Sequence, residues 1–265
     1  GDISGDGNMT LSNGAVVDMS GINTWTGTTT LTGASLNILS ADALSPDTTI
    51  IFNGSDPFLN IGADLDTGNA ADFTSSIGAG AGQVQWTAGG GFGAIGDDRT
   101  VNIGGAGATI TFGDPDFVAD LGTLALQLGS AESTHSVTFV NPLVFPTALT
   151  NYGLRSENGA APIDGILSGQ LSGPGGLNKR GGGVLQLTNS SNSWTGETLV
   201  TEGTLLADTL AAVPDISLVT VSAGASFGGS TGNLGVSDFD NILASAVFEA
   251  GSALGLTRTD SAGTF

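Results

Sequence analysis

The sequence predicts an all-β fold in which short strands wind into a solenoid of parallel coils, and three observations predict it. Gly makes up 44 of the 265 residues, well above an ordinary share of roughly 7%, so the chain is rich in the one residue that turns freely in either backbone hand. Apolar and small polar residues alternate in short runs from one end to the other, the period of strands with one buried face. A block around Trp25 also returns around Trp194, the mark of a repeat architecture. Glu, Lys, Arg, Gln and Met together number only 17, which leaves material for few helices.

The elements follow in order. Residues 30–32 and 35–38 alternate first, with Asn13-Gly14 before them and Asn53-Gly54 after them as turn formers. Past the Gly89-Gly90-Gly91 triplet come runs at 100–103, 109–112, 124–128 and 137–139. Asn158-Gly159 and Gly181-Gly182-Gly183 mark further corners, and 219–221 is the last clear run. The Asn-Gly pairs and glycine triplets supply the positive φ that tight turns need. At about 20 residues per coil the chain would make about 13 coils and extend on the order of 60 Å. A β-sandwich is the alternative, because strand period does not distinguish parallel from antiparallel pairing. The recurrent block and the glycine content favour the solenoid.

The block reads Val16-Val17-Asp18-Met19-Ser20, then Asn23-Thr24-Trp25-Thr26-Gly27, then Leu31-Thr32-Gly33-Ala34-Ser35-Leu36. Its partner reads Val184-Leu185-Gln186-Leu187-Thr188, then Asn192-Ser193-Trp194-Thr195-Gly196, then Val200-Thr201-Glu202-Gly203-Thr204-Leu205. Pro46-Asp47 and Pro214-Asp215 repeat the Trp25-to-Trp194 offset to within one position, so the correspondence outlasts the motif. The expected organisation is a single solenoid over 1–265, with repeat units starting near 5 and near 173.

The downstream copy opens Gly175-Gly176-Leu177-Asn178-Lys179-Arg180-Gly181-Gly182-Gly183 and closes on Gly203-Thr204-Leu205. It resembles the autotransporter-associated β-strand repeat, also called the passenger-associated transport repeat: a Gly-Gly-Leu-x-Lys-x-Gly-x-Gly opening, an alternating strand, Asn-x-aromatic-x-Gly, and Gly-Thr-Leu. The first copy, 7–36, departs from it, since Asn8-Met9-Thr10-Leu11-Ser12 stands where Leu-x-Lys is usual. The resemblance implies a right-handed parallel β-helix, secreted by a bacterium or held at its surface. It implies no single activity, since such passengers include adhesins, stalks and carriers of enzymatic domains. Trp25, Gly27, Gly33, Trp194, Gly196 and Gly203 are the structural positions of the motif, and the matched places of the two tryptophans point to packing rather than ligand stacking.

Charge narrows the function. Five Lys plus Arg stand against 25 Asp plus Glu, a formal charge of −20, which excludes a nucleic-acid binder and a polybasic membrane anchor. No apolar run approaches the roughly 18 residues that cross a bilayer, nor does a series of amphipathic membrane strands close the chain. With no Cys there are no disulfides and no thiol chemistry. An enzyme on acidic polysaccharide would need cations, and the chain offers Arg99, Arg155, Lys179, Arg180 and Arg258. Asp97-Asp98 would point to opposite faces of a strand and reads as a turn, and His135 has no nucleophile in a recognisable motif.

Oxygen ligands are the better lead. Asp2-Ile3-Ser4-Gly5-Asp6-Gly7 matches the first six places of a calcium loop, with Asp2, Ser4 and Asp6 as ligands, but Asn13 occupies the twelfth place where Glu is expected. Asp64, Asp66 and Asp72, then Asp114, Asp116 and Asp120, then Asp238 and Asp240 read as further turn sites or as solvated carboxylates that discourage strand pairing between molecules. Trp86 and Tyr152 are left open as sugar platforms, and the sequons at Asn8, Asn53 and Asn189 read as turns. No helical cap is evident at either end, so a segment of a longer protein or a fibre subunit is expected. These readings converge on a non-enzymatic extracellular structural module: a surface stalk, a surface-layer component or a self-assembling fibre. It would need no cofactor, with calcium the one ligand considered. Its partner would be its own solenoid, continued or stacked end to end. The alternative is an adhesin passenger binding glycan or host protein; a polysaccharide-degrading enzyme is the distant one.

Overall fold

The computed structural model describes residues 1–67, 70–119, 124–230 and 233–257. Among the described residues, every pairing between named strands is parallel. A sandwich requires antiparallel neighbours, so the architecture is a parallel β-helix with three sides.

The long side is a ten-stranded sheet that runs from Val16–Met19 through Ser35–Ile38, Phe58–Ile61, Gly90–Ala94, Ala125–Leu128, Asn151–Arg155, Gly176–Arg180, Thr198–Val200 and Val219–Val221 to Val247–Phe248. After each passage along it the chain enters a second side, made of a two-stranded sheet (Ser4–Gly5, Thr24–Trp25) and a seven-stranded one from Arg99–Val101 to Ala253–Thr257. A third side follows, built from two four-stranded sheets, Met9–Ser12 to Val84–Trp86 and Ile110–Thr111 to Ser193–Trp194. Irregular segments replace strands on the second side at the 3-10 turn Ala41–Ala43 and on the third at Leu210–Ala212 and Ile216–Leu218.

Strands expected at 35–38, 137–139 and 219–221 form with those bounds. Coil length is less regular than the sequence suggests. Val16 pairs with Ser35 across a short coil, whereas Gly90 pairs with Leu126 across a coil nearly twice as long. Inserts at the corners absorb the difference, so ten strands rather than about 13 stack on the long side, an axial length of about 43 Å at about 4.8 Å per coil. One helix departs from the all-β expectation. Val236–Ser245 is α-helical, with Ile242 buried and the Asp238 carboxylate accepting the Gly235 N–H at 2.8 Å. The readable signal is Asp238 three positions past the N-cap, above apolar residues at helical spacing.

The interior is one apolar cluster extending from Leu11 to Ile242. Along it, aromatic rings touch in sequence: Phe52 on Trp86 at 5.1 Å, Trp86 on Phe117 at 5.0 Å, Phe112 on Tyr152 at 4.9 Å and Phe145 on Trp194 at 6.4 Å. Outside the long side, the segment around Ser130 and Ser133 lies against the sheet, with Ser130 Oγ donating to Asn60 Oδ1 at 2.8 Å and Ser35 Oγ to Glu132 at 3.0 Å. Gly91 and Gly93 fit under that region because they lack side chains: a Cβ at Gly91 would collide with the Gln127 carbonyl, and one at Gly93 with Asn60 Oδ1.

Gly91→Ala is therefore expected to lower the denaturant midpoint by the equivalent of about 1–3 kcal/mol or more. Gly182→Ala, where a Cβ meets nothing within 4 Å, should leave it unchanged. Equal effects of the two would contradict the close coil-to-coil approach.

Candidate functional site

The recurring motif is a set of polar stitches, each joining one coil to the next. Asn23 Oδ1 accepts the Ile3 N–H at 2.7 Å while its Nδ2 donates to the Ala43 carbonyl at 2.8 Å. Asn192 repeats the arrangement with Leu171 N–H at 2.7 Å and Ala212 carbonyl at 2.8 Å. Each amide thus bridges the coil before and the coil after, satisfying backbone groups where the strand bends away from its ladder. Two positions on, Trp25 Nε1 donates to Thr29 Oγ1 at 3.0 Å, and Trp194 Nε1 to Thr198 Oγ1 at 3.1 Å. Both rings are buried. At Gly27 and Gly196 an added Cβ would strike the preceding coil's backbone, and Gly33 and Gly203 hold φ of +56° and +61°. The six positions are thus two buried rings, two close backbone approaches and two left-handed turns.

A third such clasp has no matched copy in the sequence: Trp86 Nε1 donates to the Gly90 carbonyl at 3.0 Å, again four positions on. Trp86 is buried against Phe52, Phe92 and Phe117, so it offers no face to a sugar. Tyr152 is likewise buried, stacked on Phe145 at 5.2 Å.

The second feature of the downstream copy is a corner built on Lys179. On the strand Gly176–Arg180, Leu177 and Lys179 share the inward face, and Lys179 stands in register between Leu154 and Val200 in an otherwise apolar ladder. It is fully buried. Its Nζ donates to the carbonyls of Arg180 at 2.8 Å, Gly181 at 2.6 Å and Glu202 at 3.2 Å, gathering the outgoing corner and the next coil's turn onto one atom. Asp164, also fully buried, accepts the N–H groups of Gly159 and Val184, both at 2.8 Å. Burial pushes the Lys179 amine down to about 7, against the opposing pull of Glu157, Asp164 and Glu202. It pushes the Asp164 carboxyl up, with its two backbone hydrogen bonds opposing.

One family model, the passenger-associated-transport-repeat, matches residues 177–207. Those residues form a passenger-associated transport repeat. No curated protein and no solved structure matches the chain. The repeat begins on the long side within Gly176–Arg180, passes Val184–Leu187, Ser193–Trp194 and Thr198–Val200, and ends with Thr204–Ala207 on the second side. It thus spans one complete coil and the start of the next; Lys179 stitches those two together, while Asn192 reaches Leu171 before the repeat and Ala212 after it. In the upstream copy, the Trp25 strand lies on the second side, whereas the Trp194 strand lies on the third. The motif is laid down one side out of phase, so it is a local coil-closing device rather than a unit locked to one face.

Outside the repeat, the acidic candidates sit at turns, bends and strand ends along the chain, with Asp64 and Asp66 side by side at one cleft. Asp2 Oδ1 accepts the Ile22 N–H at 3.1 Å, Ser4 belongs to the strand Ser4–Gly5, and Asp6 is exposed. Asp97 accepts the Asp98 N–H at 2.9 Å within a local bend, and Asp98 accepts the Ser136 N–H of the next coil, also at 2.9 Å. His135 has its Nδ1 3.0 Å from Thr134 Oγ1. Asp72 pairs with Arg99 at 2.9 Å; Asp64 accepts the Asp66 N–H at 2.9 Å. Asp114 accepts the Thr111 N–H at 3.1 Å and Asp116 takes Gln85, while Asp120 and Arg258 lie outside the described residues. Asp238 and Asp240 are on the helix. Asn8 and Asn189 bind backbone across coils, to Thr28 N–H at 2.9 Å and Ser168 carbonyl at 3.0 Å. Among the described residues no three His, Cys, Asp or Glu side chains gather in metal-binding range. A cleft of about 550 Å³ is lined by Asp42, Asp64, Asp66, Thr24 and Leu44, among others.

Asn192→Ala strands a buried N–H and a buried carbonyl, so it should cost about 2–5 kcal/mol, and Asn23→Ala a similar amount, read from urea unfolding. A loss below about 0.5 kcal/mol, the level of an ordinary surface change, would mean that the amides are not structural bridges.

Proposed function

We propose that this chain is part of a bacterial passenger that works outside the cell as a structural module, non-enzymatic, with the β-helix itself as the working part. The observation that carries the reading is the doubled stitch: Asn23 and Asn192 each tie three successive coils, in two copies well separated along the solenoid. Load along the axis falls on inter-coil backbone hydrogen bonds, and the repeat reinforces the corners where that ladder is interrupted. The strands Met9–Ser12 and Val16–Met19 end their sheets, so a further coil, from the chain's continuation or from another copy, is the partner that this geometry accepts. A surface stalk, a surface-layer component and a fibre all use the module in this way.

The cleft with Asp42, Asp64 and Asp66 favours a second reading, an adhesin that binds glycan or host protein on the second side. The two readings separate cleanly. Electron microscopy of the purified protein should show stiff rods, or filaments with an axial repeat of about 48 Å, ten coils at about 4.8 Å each, with no binding on a glycan array. Compact particles that bind one glycan class, and lose it in Asp42→Asn/Asp64→Asn, would replace the structural reading with the adhesin one.

A further inference from the structure

The Lys179 corner places two titratable groups where the solenoid has no need of charge. Leu154 and Val200 flank Lys179 in the inward ladder, so an apolar side chain would continue the row. Instead the amine reaches three carbonyls, all of which an ammonium's N–H groups satisfy while a neutral amine loses one of the bonds, but the charge is fully buried and among the described residues no carboxylate stands within ion-pair distance to offset its desolvation. Asp164 fixes the other flank of the same Gly181-Gly182-Gly183 corner by holding the Val184 N–H. Charged groups face the corner from each element packed on it: Arg155 and Glu157 from the preceding coil, Arg180 on the same strand, and Glu202 from the next turn, whose carboxylate accepts the Gly181 N–H at 2.7 Å.

We propose that Lys179 and Asp164 make this glycine corner a proton-operated control of the solenoid's stability, loosest in weak acid, where both are charged, and tighter once Lys179 gives up its proton. The direction follows from linkage. The buried amine titrates near 7, whereas in the unfolded chain it stays charged to about 10.4. Between those values the unfolded state holds one proton more, so stability rises with pH through the window and levels off above it. Asp164, shifted the other way, contributes stability that appears as pH falls through its raised value. The least stable interval therefore lies between the two.

The composition makes the test clean, because Lys179 is the only lysine in the chain. With lysine labelled at 15Nζ and 13Cε, the single side-chain resonance of the folded protein should titrate with a midpoint near 7. A midpoint near 10 would overturn the proposal. In urea unfolding, the folding equilibrium constant should rise up to about tenfold per pH unit between pH 7.5 and 9.5, and Lys179→Met should abolish that slope. An unchanged slope in Lys179→Met would equally refute it. Should that variant fail to fold, the resonance of the unmodified protein decides alone.

Discussion

Everything in this molecule depends on one constraint: a strand in a parallel coil finds hydrogen-bond partners only in the coils above and below it. No strand can satisfy its backbone within its own turn, as a helix does. Coils must therefore stack in register, and whatever interrupts the register must be repaired locally. The ten-stranded long side is the uninterrupted case. The irregular turns at Ala41–Ala43 and Leu210–Ala212 are the interrupted ones, and these are the places to which Asn23 and Asn192 reach with their amides. The same requirement explains the glycine content. Coils about 4.8 Å apart leave no room for a Cβ where one chain crosses another, as at Gly27 and Gly196.

The narrow interior adds a second consequence. A cross-section of three short strands buries few side chains per coil, so large rings are used to fill it, and their polar atoms must be answered inside. Trp25, Trp86 and Trp194 all solve this in the same way, donating four positions ahead. Lys179 is the exception, a charged-type side chain answered only by carbonyls. Its cost is desolvation, and its return is that three backbone acceptors on two coils converge on one atom.

Much of this is legible in the sequence. Strands bounded by glycine and patterned at period 2, such as Val137–Phe139, are visible because alternation and turn chemistry agree there. The Trp and Gly positions of the motif are visible because they occur twice. Coil number is not, since inserts such as those between Gly90 and Leu126 carry no pairing signal. The phase of the motif is also hidden: periodicity shows that a residue faces inward but not which of three sides it occupies. Parity with Leu177 places Lys179 inside, but residue type argues against burial. Asp164 acts through a contact in the neighbouring coil, and Trp86 stands in a single unmatched copy, so local pattern has no means of finding them.

Register between coils underlies every one of these contacts, and engineered disulfides measure it in a chain that has no cysteine. Thr138 lies opposite Ile166 in the adjacent coil, a separation suited to a disulfide. Thr138→Cys/Ile166→Cys should cross-link on mild oxidation. Thr138→Cys/Asn158→Cys, the pair that a perfectly uniform coil would bring together, should stay reduced. Efficient cross-linking of the second pair and none of the first would contradict the coil register on which the stitches, the glycine contacts and the Lys179 corner all rest.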